Sequence, residues 1–236
     1  MRLLAGTSGF SYDGWKGPFY PAGLPKTRWL GWYAERLPAV EINNTFYRMP
    51  KASVLEGWAA QVGEGFRFAL KAPQRITHFQ RLRNVADTVT HFLHVAGMLG
   101  ARLGPLLFQL PPHFKADVPL LREFLALVPA GYRVAVELRH PSWFTQELLD
   151  ALAARGAALC VSDDDGGTGL DGTGLPDLPA TAEFAYLRLR RTSYDDAAIA
   201  GWAARLRALP WKEAFVFFKH EEDGVGPRLA TRLLEL

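Results

Sequence analysis

The sequence predicts an α/β protein of the TIM type: a slightly abbreviated, closed βα barrel with an irregular loop in place of the sixth helix. Three observations predict it. Eight short runs rich in Val, Leu, Phe and Ala recur along 236 residues, most of them beside Gly or Pro, as strands are. Helical patterns fill most intervals between the runs, which is the alternation of a parallel sheet. Polar residues stand at the carboxyl ends of many runs, where a barrel gathers its site. An open doubly wound sheet, which places its site at one crossover, is the main rival. No linker or low-complexity stretch divides the chain, so residues 1–236 are read as one domain.

The runs are 2–8, 39–43, 66–71, 105–110, 133–139, 157–163, 184–190 and 214–220. KTRWLGWYAERL precedes the second run and KASVLEGWAAQV the third. In residues 84–100, Val85, Val89, Phe92, Ala96 and Leu99 make one buried stripe, which leaves His91 and His94 on a solvated face. DVPLLREFLALV, SWFTQELLDALAARG, DDAAIAGWAARLRAL and VGPRLATRLLEL supply the later helices. Ser142 is placed to cap one of them and Gly156 to end it in a left-handed conformation. DDDGGTGLDGTGLPDLP, after the sixth run, is too broken by Gly and Pro for a regular helix. Its Gly167, Gly169 and Gly172 spell a dinucleotide fingerprint, but Pro176 and Pro179 deny the helix that motif requires. Asp163, Asp164 and Asp165 lack the Glu of an EF-hand loop.

A formal charge of +3 is too modest to identify a partner unless it is localised. The single Cys160 cannot form an internal disulfide, which points to a reducing, cytoplasmic compartment. The opening MRLLAGTSGF has too short an apolar run for a signal peptide, and no stretch reaches the ~18 apolar residues that span a bilayer, so no membrane is expected. No Cys–His pair or serine elbow is recognisable, which leaves Cys160, Ser8 and Ser11 poor nucleophile candidates.

Period-two alternation supplies the functional signal. It puts Glu41 with Asn43, Ala69 with Lys71, Leu107 with Gln109, Ala135 with Glu137 and Arg139, and Tyr186 with Arg188 and Arg190. If the apolar faces meet the helices, these charges converge inside the barrel top. There they are costly unless paired or opened to a solvent-filled pocket. One reading is a metal-independent hydrolase without cofactor. Glu137 is the base for water, Glu41 the acid or orienter, and Arg139 and Lys71 stabilise negative charge, with Arg188 and Arg190 as further anion binders. The plain alternative is an internal salt-bridge network in which Arg139 or Lys71 neutralises Glu137. A second enzyme reading is metal-assisted phosphodiester hydrolysis, a divalent metal being held by Glu137, Asp163 and one of His78 or His220. A third is binding of single-stranded nucleic acid. Arg67, Lys71, Arg75, Arg81 and Arg83 form a basic segment without acids, with Phe79 to stack a base. Tyr12, Trp15, Phe19, Tyr20, Phe46 and Tyr47 are available either to stack a ligand or to close the mouth as an apolar lid. The partner is thus a polar or anionic small molecule, or a single nucleic-acid strand.

Six blocks carry a resemblance: GTSGFSYDGWKGPFYP (6–21), VEINNTFYRMP (40–50), FRFALKAPQRITH (66–78), LGPLLFQLPPHF (103–114), VELRHPSW (136–143) and YLRLRR (186–191). In this order they resemble the YecE-like family, also called the domain of unknown function 72. The resemblance implies a TIM barrel with a polar cleft at its top, and a link to nucleic acid or its repair. The family pattern is matched at Glu41, Asn43, Thr45, Phe46, Tyr47, Lys71, His78, Gln109, Glu137, Arg139 and Trp143. On that basis Asn43, Tyr47, His78, Gln109 and Trp143 join Arg188 and Arg190 as expected substrate-binding residues. The chain departs from the pattern at Arg190 and Arg191, where many members carry an RLHG-like turn. It departs again at Lys219 and His220, where relatives often show an Asn pair. Roles tied to those positions are not carried over.

Overall fold

The computed structural model describes residues 1–163 and 178–236. The strands are β1 (Arg2–Ser8), β2 (Ala39–Ile42), β3 (Arg67–Lys71), β4 (Leu103–Gln109), β5 (Val134–Glu137), β6 (Ala158–Ser162), β7 (Phe184–Leu189) and β8 (Glu213–Phe218). All pair in parallel and in chain order. The ring closes where β1 lies on β8, from Arg2 opposite Glu213 to Thr7 opposite Phe218. The open sheet is thereby excluded, and every sequence run coincides with a strand to within a residue or two at each end.

The helices are α1 (Trp29–Ala34), α2 (Asn44–Tyr47), α3 (Ala52–Ala60), α4 (Ala86–Ala96), α5 (Val118–Ala126), α6 (Gln146–Arg155), α7 (Asp196–Arg207) and α8 (Val225–Glu235). One is a surprise: α2 is a single turn, too short to leave a periodic signal. The cap of α6 also differs from expectation. Thr145 Oγ1 accepts from the Leu148 N–H at 3.3 Å, while Ser142 sits one turn earlier and accepts from Ala116 N–H. Gly156 ends α6 at φ 66°, ψ 34°, as its lack of a Cβ allows. The connection from β6 to β7 falls mostly outside the described residues, which takes Asp164, Asp165 and the three motif glycines with it; residues 178–183 are not helical.

Alternation along the strands sorts the core into two shells. The outer shell joins Val40, Phe68, Phe108, Val136, Leu187 and Val216 to the helices. The inner shell is filled unevenly. Ala39, Ala69, Ala135 and Ala158 on four strands make room for Phe184, Tyr186, Phe215 and Phe217 on β7 and β8. Four small residues facing four rings keep the volume constant in a close-packed interior. Above this plug the inward positions turn polar, which sets the floor of the candidate site.

β1 and β2 approach closely at Gly6. A Cβ there would lie 1.9 Å from the Ala39 carbonyl oxygen. The Tyr33 hydroxyl bridges the same spot, donating to Ala39 O and accepting from Thr7 N–H, each at 2.9 Å, so it ties α1 to both strands. Gly6→Ala is expected to destabilise the fold by about 1–3 kcal/mol through overpacking. A lowered urea midpoint checks this, and an unchanged midpoint would show that the strands can part there.

Candidate functional site

The register of the parallel sheet brings the polar residues together. It sets Ser8 beside Glu41, Gln109 beside Glu137 and Ser162 beside Arg188. Glu41 and Glu137 are buried at 0% and 2% exposure, and Arg188 at 2% stands between them. Its Nη2 donates to Glu41 Oε1 at 2.8 Å and its Nε to the same oxygen at 3.1 Å, while Nη1 donates to Glu137 Oε2 at 2.8 Å. One guanidinium therefore serves two carboxylates from β2 and β5.

Glu41 is saturated. Ser8 Oγ donates to Oε1 at 2.7 Å, Asn43 Nδ2 to Oε1 at 3.1 Å and the Tyr186 hydroxyl to Oε2 at 2.7 Å. Burial alone would raise its pKa. The Arg188 charge and the hydrogen bonds from Tyr186, Arg188 and Ser8 outweigh that and hold the carboxyl below its ordinary value. The expectation of Glu41 as a proton donor is therefore corrected: it is a fixed anion. Glu137 accepts from Gln109 Nε2 at 2.7 Å, and Arg190 Nη2 lies 3.7 Å from its Oε2.

The predicted neutraliser is also corrected. Arg188 and Arg190, not Arg139 or Lys71, pair with Glu137, because β7 presents its inward face to both acids. Arg139 is exposed beyond the end of β5 and makes no ion pair among the described residues. Arg188 is committed to this network rather than to a ligand. Trp143 is corrected as well. It is wholly buried, and its indole N–H donates to Phe114 O at 2.7 Å, so it packs the wall instead of facing a substrate.

Lys71 occupies a different environment. It ends β3 on the inward face, its carbonyl accepts from Thr45 Oγ1 at 2.6 Å, and its ammonium lies 3.9 Å from the centre of the Phe46 ring. No carboxylate is within ion-pair distance among the described residues. Burial, then the nearby Arg188 charge, pull its pKa from 10.5 to about 8, while Glu137 and Glu41 act the other way. The Phe46 face favours the ammonium by about 0.5–2 kcal/mol and positions it. His78 packs against the same ring, edge-on at 4.9 Å, with Nδ1 2.9 Å from Thr77 Oγ1. Burial and the Lys71 charge lower its pKa. Tyr47 stands outside at 74% exposure.

The metal alternative does not assemble. Among the described residues no three His, Cys, Asp or Glu side chains gather to hold an ion. Each expected ligand has another partner. Glu137 takes Arg188. Asp163 accepts from Tyr194 Oη and Arg190 N–H at 2.7 Å each, and His220 Nε2 donates to Arg191 O at 2.7 Å. Burial nonetheless raises the Asp163 carboxyl to about 6 against those bonds. The aromatics after β1 are likewise occupied. Trp15 and Tyr20 are buried in a cluster with Phe19, Trp29 and Tyr33, so they pack the wall and are not free to stack a ligand.

Roles that sequence reasoning did not assign are those of Phe46 as the seat of Lys71 and of Ser8 and Tyr186 as donors to Glu41. Ser8 was legible in principle, since it ends the first run as Glu41 nearly ends the second. Tyr186 required the barrel to close.

Eight parallel strands with a polar cluster at their carboxyl ends define a TIM-type βα-barrel protein with a barrel-top site. The chain belongs to the family described as "Protein of unknown function DUF72", whose model matches residues 4–236. It is 38% identical over 137 residues to the UPF0759 protein YecE of Escherichia coli K12, covering 56% of this chain and 50% of that protein. It is 29% identical over 166 residues to YunF of Bacillus subtilis strain 168, covering 61% and 56%. These matches span about half the length of the relatives. A DUF72 family crystal structure from Thermotoga maritima superposes with a TM-score of 0.79 at 25% identity, covering 100% of this chain and 98% of that one. One from Enterococcus faecalis gives 0.78 at 20% identity, covering 99% and 96%, and supports the fold alone. Among the described residues no helix is long and apolar enough to cross a membrane.

Two outcomes follow from this electrostatics. Arg188→Leu leaves two buried carboxylates without their cation and is expected to cost about 3–5 kcal/mol in urea unfolding; a loss below about 1 kcal/mol would show that solvent reaches the pair. Lys71 is protonated in the fold only up to about pH 8, against 10.5 unfolded, so the unfolded chain binds more protons between those values and stability rises with pH there. Lys71→Met is therefore expected to stabilise the chain most below pH 8, with the gain over wild type shrinking toward pH 10.5. A difference independent of pH would refute the shift.

Proposed function

We propose that this protein binds a small anionic substrate at the carboxyl-end mouth of the barrel and acts on it by acid–base chemistry, with Lys71 as the titrating group. The observation that carries the reading is the division of labour between Arg188 and Lys71. Arg188 meets the two buried acids, which frees Lys71, half-buried and held over Phe46, for a ligand. Other cations stand at further strand ends around the ring: Arg139 after β5, and exposed Lys219 after β8. Lys71 lies within electrostatic reach of Lys219, and His78 within reach of Arg139. Glu137 is the carboxylate partner for proton transfer, since its Oε1 accepts from the neutral Gln109 amide while Arg188 binds the other oxygen, among the described residues. No metal or cofactor is required by this reading.

The loop after β3 supports a functional mouth. It opens with one π-helical turn, Arg75–Phe79, and continues through Arg81, Leu82 and Asn84, all at positive φ. Such turns and left-handed non-glycine residues are costly and concentrate at functional sites. The same loop carries a second reading, single-strand nucleic-acid binding, because Phe79 is 72% exposed between exposed Arg75 and Arg81. A small anion fits better than a long polyanion, since the sequence places Asp163, Asp164 and Asp165 directly after β6. A reducing, cytoplasmic compartment rests on the lone Cys160, buried in the barrel interior.

Calorimetric titration with pyrophosphate at low salt tests the reading. Lys71→Met is expected to weaken binding about tenfold or more, and Lys71→Arg to retain most of it, as a charge-assisted contact requires. Binding that is indifferent to Lys71→Met would overturn the proposal. A labelled single strand distinguishes the second reading, for which each phosphate contact adds about −0.7 to the logarithmic salt slope and Phe79→Ala weakens the complex.

A further inference from the structure

We propose that Lys71 attacks a carbonyl carbon of that anionic substrate and forms a covalent imine with it. This rests on the anionic-substrate reading and deepens it, because it names the group on which the chemistry occurs: an aldehyde or ketone bearing a phosphate or carboxylate.

The geometry is that of an amine held for attack. The β3 end is pinned by the Thr45 bond to the Lys71 carbonyl, so the base of the side chain does not wander. The Phe46 ring supports its tip from one side, and His78 supports the ring in turn. Ala69, two residues earlier on the same inward face, belongs to the barrel plug, so Lys71 rises from the floor of the mouth. The charged groups facing it are Arg188 on β7, Lys219 after β8, Glu137 on β5 and Glu41 on β2. Both acids are bonded to Arg188 instead, and none is within ion-pair distance of the amine among the described residues. A lysine that served charge balance alone would stand against one of those carboxylates.

An imine requires a neutral amine, and the surroundings supply it. Burial first, then the Arg188 charge, bring the Lys71 pKa to about 8. That leaves about a tenth of the side chain as free amine at pH 7, against well under a thousandth for an ordinary lysine. The lone pair of Nζ forms the C–N bond as the carbonyl π pair moves to oxygen. The oxygen then collects a proton lost by nitrogen and one from solvent, and leaves as water. The product is a protonated imine, and no oxidant or reductant takes part. The surrounding cations hold the anionic end of the substrate and oppose protonation of the waiting amine.

The test uses the full chain and two aldehydes, pyridoxal 5′-phosphate and pyridoxal, which differ in the phosphate. Each is incubated with the protein at pH 7, reduced with borohydride and located by peptide mass mapping. The reduced adduct is expected on Lys71 about tenfold or more over exposed Lys51 and Lys115. It should form more readily with the phosphorylated aldehyde, be suppressed by inorganic phosphate and be absent from Lys71→Arg, whose folding is checked by its thermal transition. Even labelling of all lysines, with phosphate still bound in a Lys71-dependent way, would overturn the imine and leave the anionic-substrate reading standing. Preferred labelling of Lys71 by both aldehydes equally, without protection by phosphate, would support the imine and overturn the anionic reading. Neither labelling of Lys71 nor phosphate binding would overturn both.

Discussion

The upper half of the barrel depends on one guanidinium. Glu41 and Glu137 are carried into a nearly water-free interior by strands on different sides of the ring, and neither carboxylate tolerates that setting alone. Arg188 satisfies both at once through separate edges of its planar fork, which a lysine, as a point charge, does not reproduce. Because the three residues come from β2, β5 and β7, the network forms only when the sheet has closed with the correct register. It therefore rewards the native barrel over an open or slipped sheet, a use of buried charge that selects a structure rather than merely adding stability.

The apolar plug beneath has the same logic in volume. Large rings project from β7 and β8, and alanines on the facing strands yield space to them. Tyr186 joins the two layers: its ring packs in the plug against Phe217, and its hydroxyl donates to Glu41. The boundary between packed floor and polar mouth thus runs through a single side chain, which has an apolar body and one polar atom at its tip.

Once the acids are matched, the remaining cations define the character of the mouth. Lys71, Arg139 and Lys219 are not neutralised by the network among the described residues, which is why the proposed ligand is an anion. The two acids, which in the sequence look like an acid–base pair, are bonded to the same residue, and Glu41 is held below its ordinary carboxylate range; the lysine is the group whose pKa is pulled toward neutrality. The structural reading of the charged cluster is thus carried by Arg188 and the two acids, and the proposed functional one falls on different residues.

Most of the architecture was legible from local chemistry. Period-two alternation identified the strands and their inward faces, Gly156 marked the end of α6, and the recurrence of polar residues at strand ends located the mouth, since these features depend only on backbone geometry and near neighbours. What sequence did not decide was partnership. Arg139 is two residues from Glu137 and shares its face, yet the strand ends and the side chain turns to solvent; Arg188, 51 positions away, is the one that binds. Trp143 and Ser142 read as a ligand contact and a helix cap, but the wall packs one and the other bonds Ala116. His78, Glu137, Asp163 and His220 have the chemistry of metal ligands without the convergence. Which charges meet is set by strand order, register and ring closure, and these sum contacts over the whole chain. Sequence alone determined the barrel and the composition of its mouth; the tertiary structure decided which of those residues join the buried network and which stand outside it.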